Sequence, residues 1–569
     1  MMSVIGIDLG TSNSLVACWT EDGSVIIPNN LGEKMTPSVV GVDDNGEMLV
    51  GAIAKERLIT HPDLTASVFK REMGNDRLIR LGKYNFSPEE LSSFLLKSLK
   101  ADAEAYLKED ISEAVISVPA YFNDLQRKAT KRAAEFAGLH VERLISEPTA
   151  AALAYGLHQQ KDDTNFLIFD LGGGTYDVSI LEFYEGVMDV RAIAGDNYLG
   201  GTDFTDALVH HFIISQKLDI EMLDEKDLSA LTKQAETCKR TIGTSQSGNM
   251  ILEKNGTIYQ EQITRQQFEK IVQLLIIRLR VPIERALRDS SLTPDELDAV
   301  VLVGGATRMP IIKTIVGKML GRLPFSDIDP DETVAHGAAV QAALKERNEA
   351  LKEMILTDVC PYTLGIETVK SIGMDQIESG YFSPIIERNT PIPVSRMDRF
   401  HTISDNQTNI LIEIYQGESR LTKNNIQLGE VNMEVPPAKS GEEAVDVRFT
   451  YDINGILEVE CSSISTGKME RIIIENSPGD MTREEIEARL KMLEAIKIHP
   501  KELAENRLLL ARGERMYEEA LGDQRKVIAE LLENFETVLE TQDRKKAEEV
   551  ATQLKQQLEQ IERWQHIEW

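Results

Sequence analysis

The chain has 569 residues, and its 62 lysines and arginines stand against 93 aspartates and glutamates, which gives a formal charge of −31. This length predicts about three or four domains, because a single hydrophobic core stops growing at a smaller size. The strong negative charge argues against nucleic acid and membranes as partners, because their anionic surfaces would repel it.

The spacing of the cysteines and the length of the apolar runs predict the cellular compartment of the protein. The four cysteines (Cys18, Cys238, Cys360 and Cys461) lie far apart without metal-ligand spacing, so we expect buried thiols in a reducing compartment. The first residues contain no basic stretch followed by an apolar one, and no apolar run is long enough to span a bilayer. We therefore expect a soluble, cytoplasmic protein.

Residues 1 to about 350 alternate strand-like and helix-like patterns, which predicts an α/β layered fold. Short apolar runs that end at Gly, Pro or Asp predict strands, and the amphipathic stretches between them predict helices. The predicted strands include Val4–Asp8, Ala114–Val118, Phe166–Asp170 and Ala299–Val303, and the predicted helices include Asn123–Ala137 and Gln267–Leu287.

The turn after the first strand is repeated about 160 residues later. Ile5–Thr11 and Leu167–Gly173 each contain an apolar strand, an aspartate and a glycine-rich turn. A returning strand follows each of them, Leu15–Trp19 in the first case and Val178–Phe183 in the second. Such a repeat predicts two related lobes that share one ligand.

Three glycine-rich turns predict a phosphate-binding site, because glycine lets backbone N–H groups approach phosphate oxygens with no Cβ in the way. The turns are Gly10-Thr11-Ser12-Asn13, Gly172-Gly173-Gly174-Thr175 and Gly304-Gly305-Ala306-Thr307-Arg308. The third precedes a helix that we expect to open near Pro310, and helix N-termini attract anions. One such turn is an ordinary hairpin, but three of them indicate a nucleotide.

Acidic residues beside these turns predict a metal site. Asp8 and Asp170 occupy equivalent points of the repeat, and carboxylates often hold Mg²⁺ through water beside phosphates. Glu147 precedes a helical stretch, and its spacing leaves two interpretations open: it faces the metal and positions water, or it only opens the helix. The spacing of Lys70 alone indicates a surface lysine.

The second part of the chain changes character after the layered fold. A charged helix, Lys345–Lys352, and the segment Met354–Val359 predict an inter-domain linker. From Pro361 to about Ser477 the pattern predicts an antiparallel β domain. Its evidence is alternation in Ile410–Tyr415, Val445–Tyr451 and Arg471–Glu475, and a hairpin signal at Asn454-Gly455.

Residues from Thr482 to Trp569 predict a helical bundle or arm. Thr482–Glu485 has the spacing of a capping box. We expect helix breaks at Pro500, at Gly522-Asp523 and at Thr541–Asp543.

Six motifs together resemble the DnaK-type chaperones of the seventy-kilodalton heat-shock family. They are Ile5–Ser14, Ser117–Asp124, Glu147–Gly156, Asp170–Asp177, Leu302–Pro310 and Asp329–Gln341, within a resemblance that covers nearly the whole chain. It implies an actin-like, two-lobed α/β ATPase domain (1–352), a linker (353–359), a β-sandwich that grips extended hydrophobic peptides (360–478) and a helical lid (479–569). The implied function is that of an ATP-dependent chaperone for protein folding and stress response, assisted by a J-domain co-chaperone.

The resemblance also implies the residues of the ATP site. The catalytic set is Lys70, Glu147, Asp170, Thr175 and Asp8, of which Asp8, Asp170 and Glu147 hold Mg²⁺ largely through water. The nucleotide-binding set is Gly10, Thr11, Ser12, Asn13, Gly172, Gly173, Gly174, Gly201, Glu236, Lys239, Arg240, Gly304, Gly305, Arg308 and Asp331. Lys70 would place its ammonium beside the γ-phosphate, which is the kind of electrostatic stabilisation that phosphoryl transfer uses.

Peptide binding and allostery follow from the same resemblance. The implied groove residues are Leu364, Ile366, Thr368, Val369, Phe400, Thr402, Ile403, Gln407, Ile410 and Ile412, although their pattern alone indicates a sandwich core. The implied relay and linker residues are Pro119, Arg127, Arg143, Ile355, Leu356 and Asp358, with Arg143 at a J-domain contact position.

The chain also departs from the family pattern. The stretch between Lys70 and Pro119 and the loop after Arg240 are short, and Gly243 stands where a serine near the adenine is usual. These trims resemble the HscC-like bacterial branch and make dependence on a nucleotide-exchange factor doubtful. The lid is short as well, so we expect fast peptide exchange, and the arch pair Val369 and Ile403 leaves the peptide preference open.

Two other functions remain as alternatives. A sugar kinase or a filament protein can share the ATPase fold, but neither has a use for about 200 residues after Val359. A nucleotide-binding co-chaperone that does not hydrolyse ATP is the other alternative. Lys70, Thr175 and the two aspartates argue against it.

Overall fold

The computed structural model describes residues 4–43, 45–141, 144–156, 164–184, 187–254, 256–325, 329–345, 355–372, 376–452, 455–474, 501, 504–520 and 522–565. Its contacts divide the chain into two compact units. The first extends to Thr363 and includes Glu387–Ile392, and the second contains Leu364–Ile386, Pro393–Ile474 and the C-terminal helices. Arg143, Asn454, Thr482–Glu485 and Pro500 lie outside the described residues, as does 346–354, which contains most of the predicted Lys345–Lys352 helix.

The strands of the first unit form two main sheets and three small ones. They are β1 (Ile5–Asp8), β2 (Asn13–Thr20), β3 (Gly23–Ile27), β4 (Thr36–Pro37), β5 (Val39–Val42), β6 (Met48–Val50), β7 (Thr65–Ser67), β8 (Ile79–Leu81), β9 (Tyr84–Phe86), β10 (Ala114–Val118), β11 (Leu144–Ser146), β12 (Thr164–Leu171), β13 (Tyr176–Tyr184), β14 (Val187–Asp196), β15 (Ser247–Lys254), β16 (Thr257–Thr264), β17 (Ala299–Val303), β18 (Ile355–Val359) and, further along the chain, β21 (Pro391–Ile392).

The helices of the first unit cover and connect these sheets. They are α1 (Ala52–Thr60), α2 (Pro88–Leu107), α3 (Asp124–Phe136), α4 (Glu147–Gly156), α5 (Gly201–Ser215), α6 (Glu225–Thr244), α7 (Arg265–Ile271), α8 (Gln273–Ser290), α9 (Pro310–Leu320) and α10 (Thr333–Lys345). The single helix predicted over Gln267–Leu287 is wrong, because the chain leaves helical geometry at Val272 and forms α7 and α8 instead.

The two main sheets repeat one arrangement, which confirms the two related lobes predicted from the sequence. In the first sheet β1 pairs in parallel with β10 and antiparallel with β2, which pairs with β3. In the second sheet β12 pairs in parallel with β17 and antiparallel with β13, which pairs with β14. The aspartates Asp8 and Asp170 therefore occupy corresponding strand ends.

Helices α4 and α10 cross at very short range beside the first sheet. A Cβ on Gly337 would lie 1.7 Å from the carbonyl oxygen of Ala150, and one on Gly6 would lie 2.3 Å from the backbone nitrogen of Ala339. Only glycine tolerates such approaches. The alanine-rich start of α4 therefore packs closely against another element, as the sequence predicts, and this packing fixes Glu147, the first residue of α4.

The second unit contains two antiparallel sheets and a helical bundle, which confirms the predicted β domain and helical tail. Its strands are β19 (Leu364–Ile372), β20 (Gln376–Ile386), β22 (Val394–His401), β23 (Asn409–Gln416), β24 (Ile426–Glu434), β25 (Ala444–Tyr451), β26 (Leu457–Ser463) and β27 (Met469–Ile474). One sheet has the order β20-β19-β23-β24 and the other β22-β25-β26-β27.

The described residues after 500 form three helices: α11 (Ala504–Glu519), α12 (Gly522–Glu540) and α13 (Arg544–Gln565). Their shared core contains buried Met516, Ile528, Phe535 and Leu558. The predicted break at Thr541–Asp543 is confirmed. The break predicted at Gly522-Asp523 is also present but lies slightly earlier, because α11 ends at Glu519 and α12 begins at Gly522. Among the described residues, no helix combines the length and the apolar character needed to cross a bilayer.

Candidate functional site

The centre of the candidate site is a buried ion pair between the side chains of Lys70 and Glu147. Lys70 lies in the single 3-10 turn Phe69–Glu72, and its ammonium lies 2.7 Å from Glu147 Oε1. Both side chains are buried, at 4% and 10% exposure. The surface position that spacing alone indicates for Lys70 is therefore wrong.

Three further carboxylates lie near this pair: Asp170 and Asp177 are buried, and Asp8 is partly buried. Burial, and after it the charge of Glu147, raises the pKa of Asp8 to about 7, against the opposing effects of Lys70 and the hydrogen bond from Ser117. The same two causes raise the pKa of Asp177 to about 7. Burial and the neighbouring acids Glu147, Asp177 and Asp8 hold the pKa of Asp170 well above its usual range. The acidic side chains at this place therefore outnumber the Lys70 ammonium.

This carboxylate set fits a divalent cation held mainly through water. Asp170 Oδ2 is buried and has no hydrogen-bond partner among the residues that the structure describes. Oxygen ligands of this type suit Mg²⁺, which usually keeps several waters. Within the described residues, no three acidic, histidine or cysteine side chains are close enough to ligate one ion directly. The residues therefore fit a hydrated cation rather than a closed protein cage.

The first two glycine-rich turns pack directly against each other. A Cβ on Gly173 would lie 2.1 Å from Ser12 Oγ, and one on Gly174 would lie 2.6 Å from Thr11 Cγ2. The start of α5 is bonded to the second turn, since the Gly201 N–H donates to the carbonyl of Gly172 at 2.9 Å. The two turns of the repeat thus form one surface of backbone groups and small side chains.

The third turn meets the same surface. Gly304 has a φ of 83°, and a Cβ there would lie 2.4 Å from the carbonyl oxygen of Leu171 and 2.8 Å from Asp170 Oδ1. The helix expected near Pro310 is α9, with this proline in its first turn. Arg308, at the end of the turn, pairs with Asp331 at 2.7 Å. The structure therefore brings all three predicted turns together.

Three of the predicted nucleotide-binding residues, Glu236, Lys239 and Arg240, lie on α6 beside these turns. The buried Lys239 ammonium donates to the carbonyl of Gly201 at 2.7 Å and pairs with Glu236 at 2.6 Å. Glu236 also accepts a hydrogen bond from the exposed Arg240 at 2.7 Å. These hydrogen bonds and ion pairs hold the three side chains in place, and the side chains form one wall of the site.

The loop after β10 connects to the carboxylates and was only partly predicted. Asp177 accepts hydrogen bonds from the backbone N–H groups of Ala120 and Tyr121, and the Phe122 ring lies 5.6 Å from the Lys70 ammonium. Arg127 donates to the carbonyls of Ala120 and Phe122, next to Pro119. Asp177 belongs to a quoted motif, but its alternating strand pattern gave no sign of its burial in the site.

The predicted linker forms a strand of the second main sheet. β18 pairs in parallel with β14, with Ile355 opposite Val187 and Leu356 opposite Met188. Asp358 is paired with Ile392 of β21, and its side chain accepts from the N–H of Val359. Both neighbours of β18 belong to the first unit. The side chains of Ile355 and Leu356 lie outside the described residues.

The predicted groove residues divide into core and accessible positions. Leu364, Ile366 and Ile412 are at most 3% exposed, which matches the sandwich-core interpretation of their pattern. The accessible or partly buried members are Thr368, Val369, Phe400, Ile403, Gln407 and Ile410, whereas Thr402 is buried. Val369 lies in an irregularity of the β19–β20 register, and Gln407 holds the loop by accepting from the Ile403 N–H.

Comparisons with known proteins agree with this architecture. The family model described as Hsp70 protein matches residues 4–568. The chain is 43% identical over 486 residues to the chaperone protein DnaK of Thermotoga petrophila and of Thermotoga maritima, covering 83% of this chain and 80% of each relative. The corresponding protein of Thermotoga neapolitana is 42% identical over the same length.

The fold and the site define a two-lobed ATPase joined to an antiparallel β domain and a helical region. The chain belongs to the Hsp70 family. It is accordingly an ATP-dependent chaperone with ATPase activity, and the predicted resemblance is confirmed at the level of the family. The HscC-like branch stays a prediction.

Proposed function

We propose that this chaperone hydrolyses Mg-ATP at the Lys70–Glu147 centre and uses the cycle to bind and release extended hydrophobic client segments. The main support is the buried Lys70–Glu147 pair, which lies beside three further acids. In this proposal Asp8, Asp170 and Glu147 hold hydrated Mg²⁺, which when bound neutralises phosphate charge. Lys70 stabilises the charge that develops on the γ-phosphate, and Thr11, Ser12, Asn13 and Thr175 orient the phosphates.

Single-turnover hydrolysis tests this assignment. We expect Lys70→Ala and Thr175→Ala to lower the rate constant by about 100-fold or more, because preorganised charge is the main contribution to phosphoryl transfer. Lys83→Ala is the matched control, since Lys83 is an exposed lysine of the same lobe. Wild-type hydrolysis no faster than that of Lys70→Ala would instead support the co-chaperone that does not turn over ATP.

The proposed client site is the groove formed by the accessible members of the predicted set, with Val369 and Ile403 as the arch. The register irregularity at Val369 supports this assignment, because a bulge re-aims a side chain relative to its neighbours. ATP binding is proposed to act through Pro119, Arg127 and the β18 strand. A J-domain protein, which Arg143 is proposed to contact, and client peptide would then both alter ATP turnover, since coupling is reciprocal.

Nucleotide exchange is proposed to proceed without a dedicated factor. The short segments after Lys70 and after Arg240 support this, because these parts of typical family members contact that factor. Stopped-flow release of a labelled nucleotide is expected to change less than about twofold when a bacterial exchange factor is added. A large acceleration would reject the proposal. A cytoplasmic location is proposed as well, supported by four buried free thiols.

A further inference from the structure

The turn between α12 and α13 makes an unusual contact with a strand of the same unit. The Gln542 side-chain amide forms two reciprocal hydrogen bonds with Met397 of β22. Its Nε2 donates to the Met397 carbonyl at 2.9 Å, and its Oε1 accepts from the Met397 N–H at 3.1 Å. The backbone carbonyl of Gln542 also accepts a hydrogen bond from the Arg396 guanidinium. The amide thus pairs with β22 as the peptide group of a neighbouring strand would.

The contact lies on the open side of an edge strand. Among the described strands, β22 ends its sheet and pairs on its other side with β25, with Met397 opposite Arg448. An edge strand presents backbone N–H and C=O groups that can pair with another chain. Gln542 satisfies both such groups of Met397, near the middle of an eight-residue strand.

The backbone of Gln542 indicates that the turn is shaped for this contact. Its φ is 57°, in the left-handed region where glycine or asparagine is favoured at the end of a helix. A glutamine there is strained, and such strain persists only where surrounding contacts determine the conformation. Neighbouring bonds fix the turn as well: Thr541 donates to the carbonyl of Val538, and Asp543 accepts from the N–H of Lys546. The two hydrogen bonds with Met397 explain why a residue with a long amide side chain occupies this position.

The strand that Gln542 holds leads directly to the proposed groove. β22 continues to Phe400, only three residues beyond Met397, and Thr402 follows shortly after the strand. We propose that Gln542 is a positioning residue that anchors the C-terminal helical bundle to the edge of β22 and thereby slows the release of a bound client segment. This consequence for clients rests on the proposed groove, whereas the anchor itself does not.

Amide hydrogen exchange of the full-length protein tests the anchor independently of peptide binding. We expect Gln542→Ala to accelerate exchange at Met397 about 10-fold or more, because it removes the Oε1 acceptor of the Met397 N–H, whereas Gln542→Glu keeps an acceptor oxygen and should accelerate exchange less than Gln542→Ala. Gln557→Ala is the matched control, since Gln557 lies on α13 in the groove between α12 and α13. Unchanged exchange at Met397 would overturn the proposal. Equal loss of protection throughout α12 and α13 would also overturn it, because Gln542 would then be an ordinary folding contact.

Dissociation of a fluorescent hydrophobic peptide tests the consequence. In the ADP state we expect Gln542→Ala to release the peptide about 3- to 30-fold faster than wild type and Gln557→Ala to release it at the wild-type rate. Faster exchange at Met397 with an unchanged peptide off-rate would reject the role in client retention. Absence of peptide binding by the wild-type protein would instead reject the proposed groove and leave the exchange result on Met397 standing.

Discussion

The Tyr362 hydroxyl donates a hydrogen bond to the backbone carbonyl of Tyr121, and the centroids of the two rings lie 4.6 Å apart. Tyr362 follows the β18 strand, whereas Tyr121 precedes Phe122, whose ring lies near the Lys70 ammonium. Arg285 donates to the Tyr121 hydroxyl from the other side. The end of the linker is therefore connected to the ATP site through a single short loop.

Removal of this hydroxyl is expected to slow hydrolysis without weakening nucleotide binding. Tyr362→Phe keeps the ring but leaves the Tyr121 carbonyl with fewer donors, so the loop that carries Phe122 is held less firmly. We expect a single-turnover rate constant about 3- to 10-fold lower, with the ATP dissociation constant within about twofold. Tyr198→Phe, at an exposed tyrosine of the same unit, is the control. Parallel losses of ATP affinity and rate would contradict this prediction.

A serine at position 243 is expected to tighten ATP binding. Gly243 lies in the last turn of α6, and a Cβ there would lie 3.9 Å from Pro310 Cδ, which is an ordinary contact. Gly243→Ser restores the hydroxyl that typical family members place near the adenine, and one hydrogen bond corresponds to about a 3- to 10-fold gain in affinity. Gly243→Ala separates helix propensity from the hydroxyl. Equal affinities of the two variants, measured by titration calorimetry, would contradict the role of the hydroxyl.

Two adjacent positions of β23 test the groove. Ile410 is partly buried, whereas Leu411 points to the opposite face of the strand and is 54% exposed. We expect Ile410→Asp to weaken binding of a hydrophobic peptide at least 10-fold, because a carboxylate would line an apolar pocket. Leu411→Asp should leave the affinity within about twofold. Fluorescence anisotropy measures both, and similar affinities for the two variants would place the groove elsewhere.

The Glu236 carboxylate is expected to contribute a pH-dependent part of the stability. Partial burial opposes its ionisation, but the charge of Lys239 and the hydrogen bonds from Lys239, Arg240 and Thr205 outweigh this and hold its pKa at about 2, below the ordinary value of 4.5. A depressed folded-state pKa stabilises the fold above pH 4.5, and this stabilisation is lost as the pH falls from 4.5 towards 2.

The difference in unfolding free energy between the wild type and Glu236→Gln isolates this contribution. Because the side chain is 36% exposed, solvent screening reduces the effect, and we expect about 1–2 kcal/mol at pH 7 that shrinks below pH 4.5. Glu269→Gln, at an exposed position of α7, is the control. Urea unfolding at several pH values provides the measurement, and a difference that does not vary with pH would contradict the assigned cause.

Local patterns predicted the fold well, because strand alternation and the repeated Asp-Leu-Gly turns are encoded within short windows. The two lobes, the antiparallel β domain and the break at Thr541–Asp543 follow from such windows. The predicted helix boundaries were wrong where local patterns conflict. At Val272, for example, one amphipathic stretch of sequence contains two helices.

The site was less predictable, because burial depends on contacts far apart in the chain. Lys70 and Glu147 are separated by 77 positions, and the short segment around Lys70 has no pattern that indicates its burial. The contact between Tyr121 and Tyr362 could not be predicted either, because 241 positions separate the two residues in the sequence. The resemblance to a family supplied Lys70, whereas no sequence signal indicated Tyr362.

The close crossing of α4 and α10 makes the contact between the two helices rigid. Gly337 meets Ala150 backbone to backbone, so no side chain can absorb a relative movement of the helices. Glu147 lies three residues before Ala150, about 4.5 Å along the axis. A tilt of roughly 10° about the crossing would displace Glu147 by about 0.8 Å. Misplacements of about this size can lower a reaction rate about 100-fold, so the position of Glu147 depends closely on how α10 packs against α4.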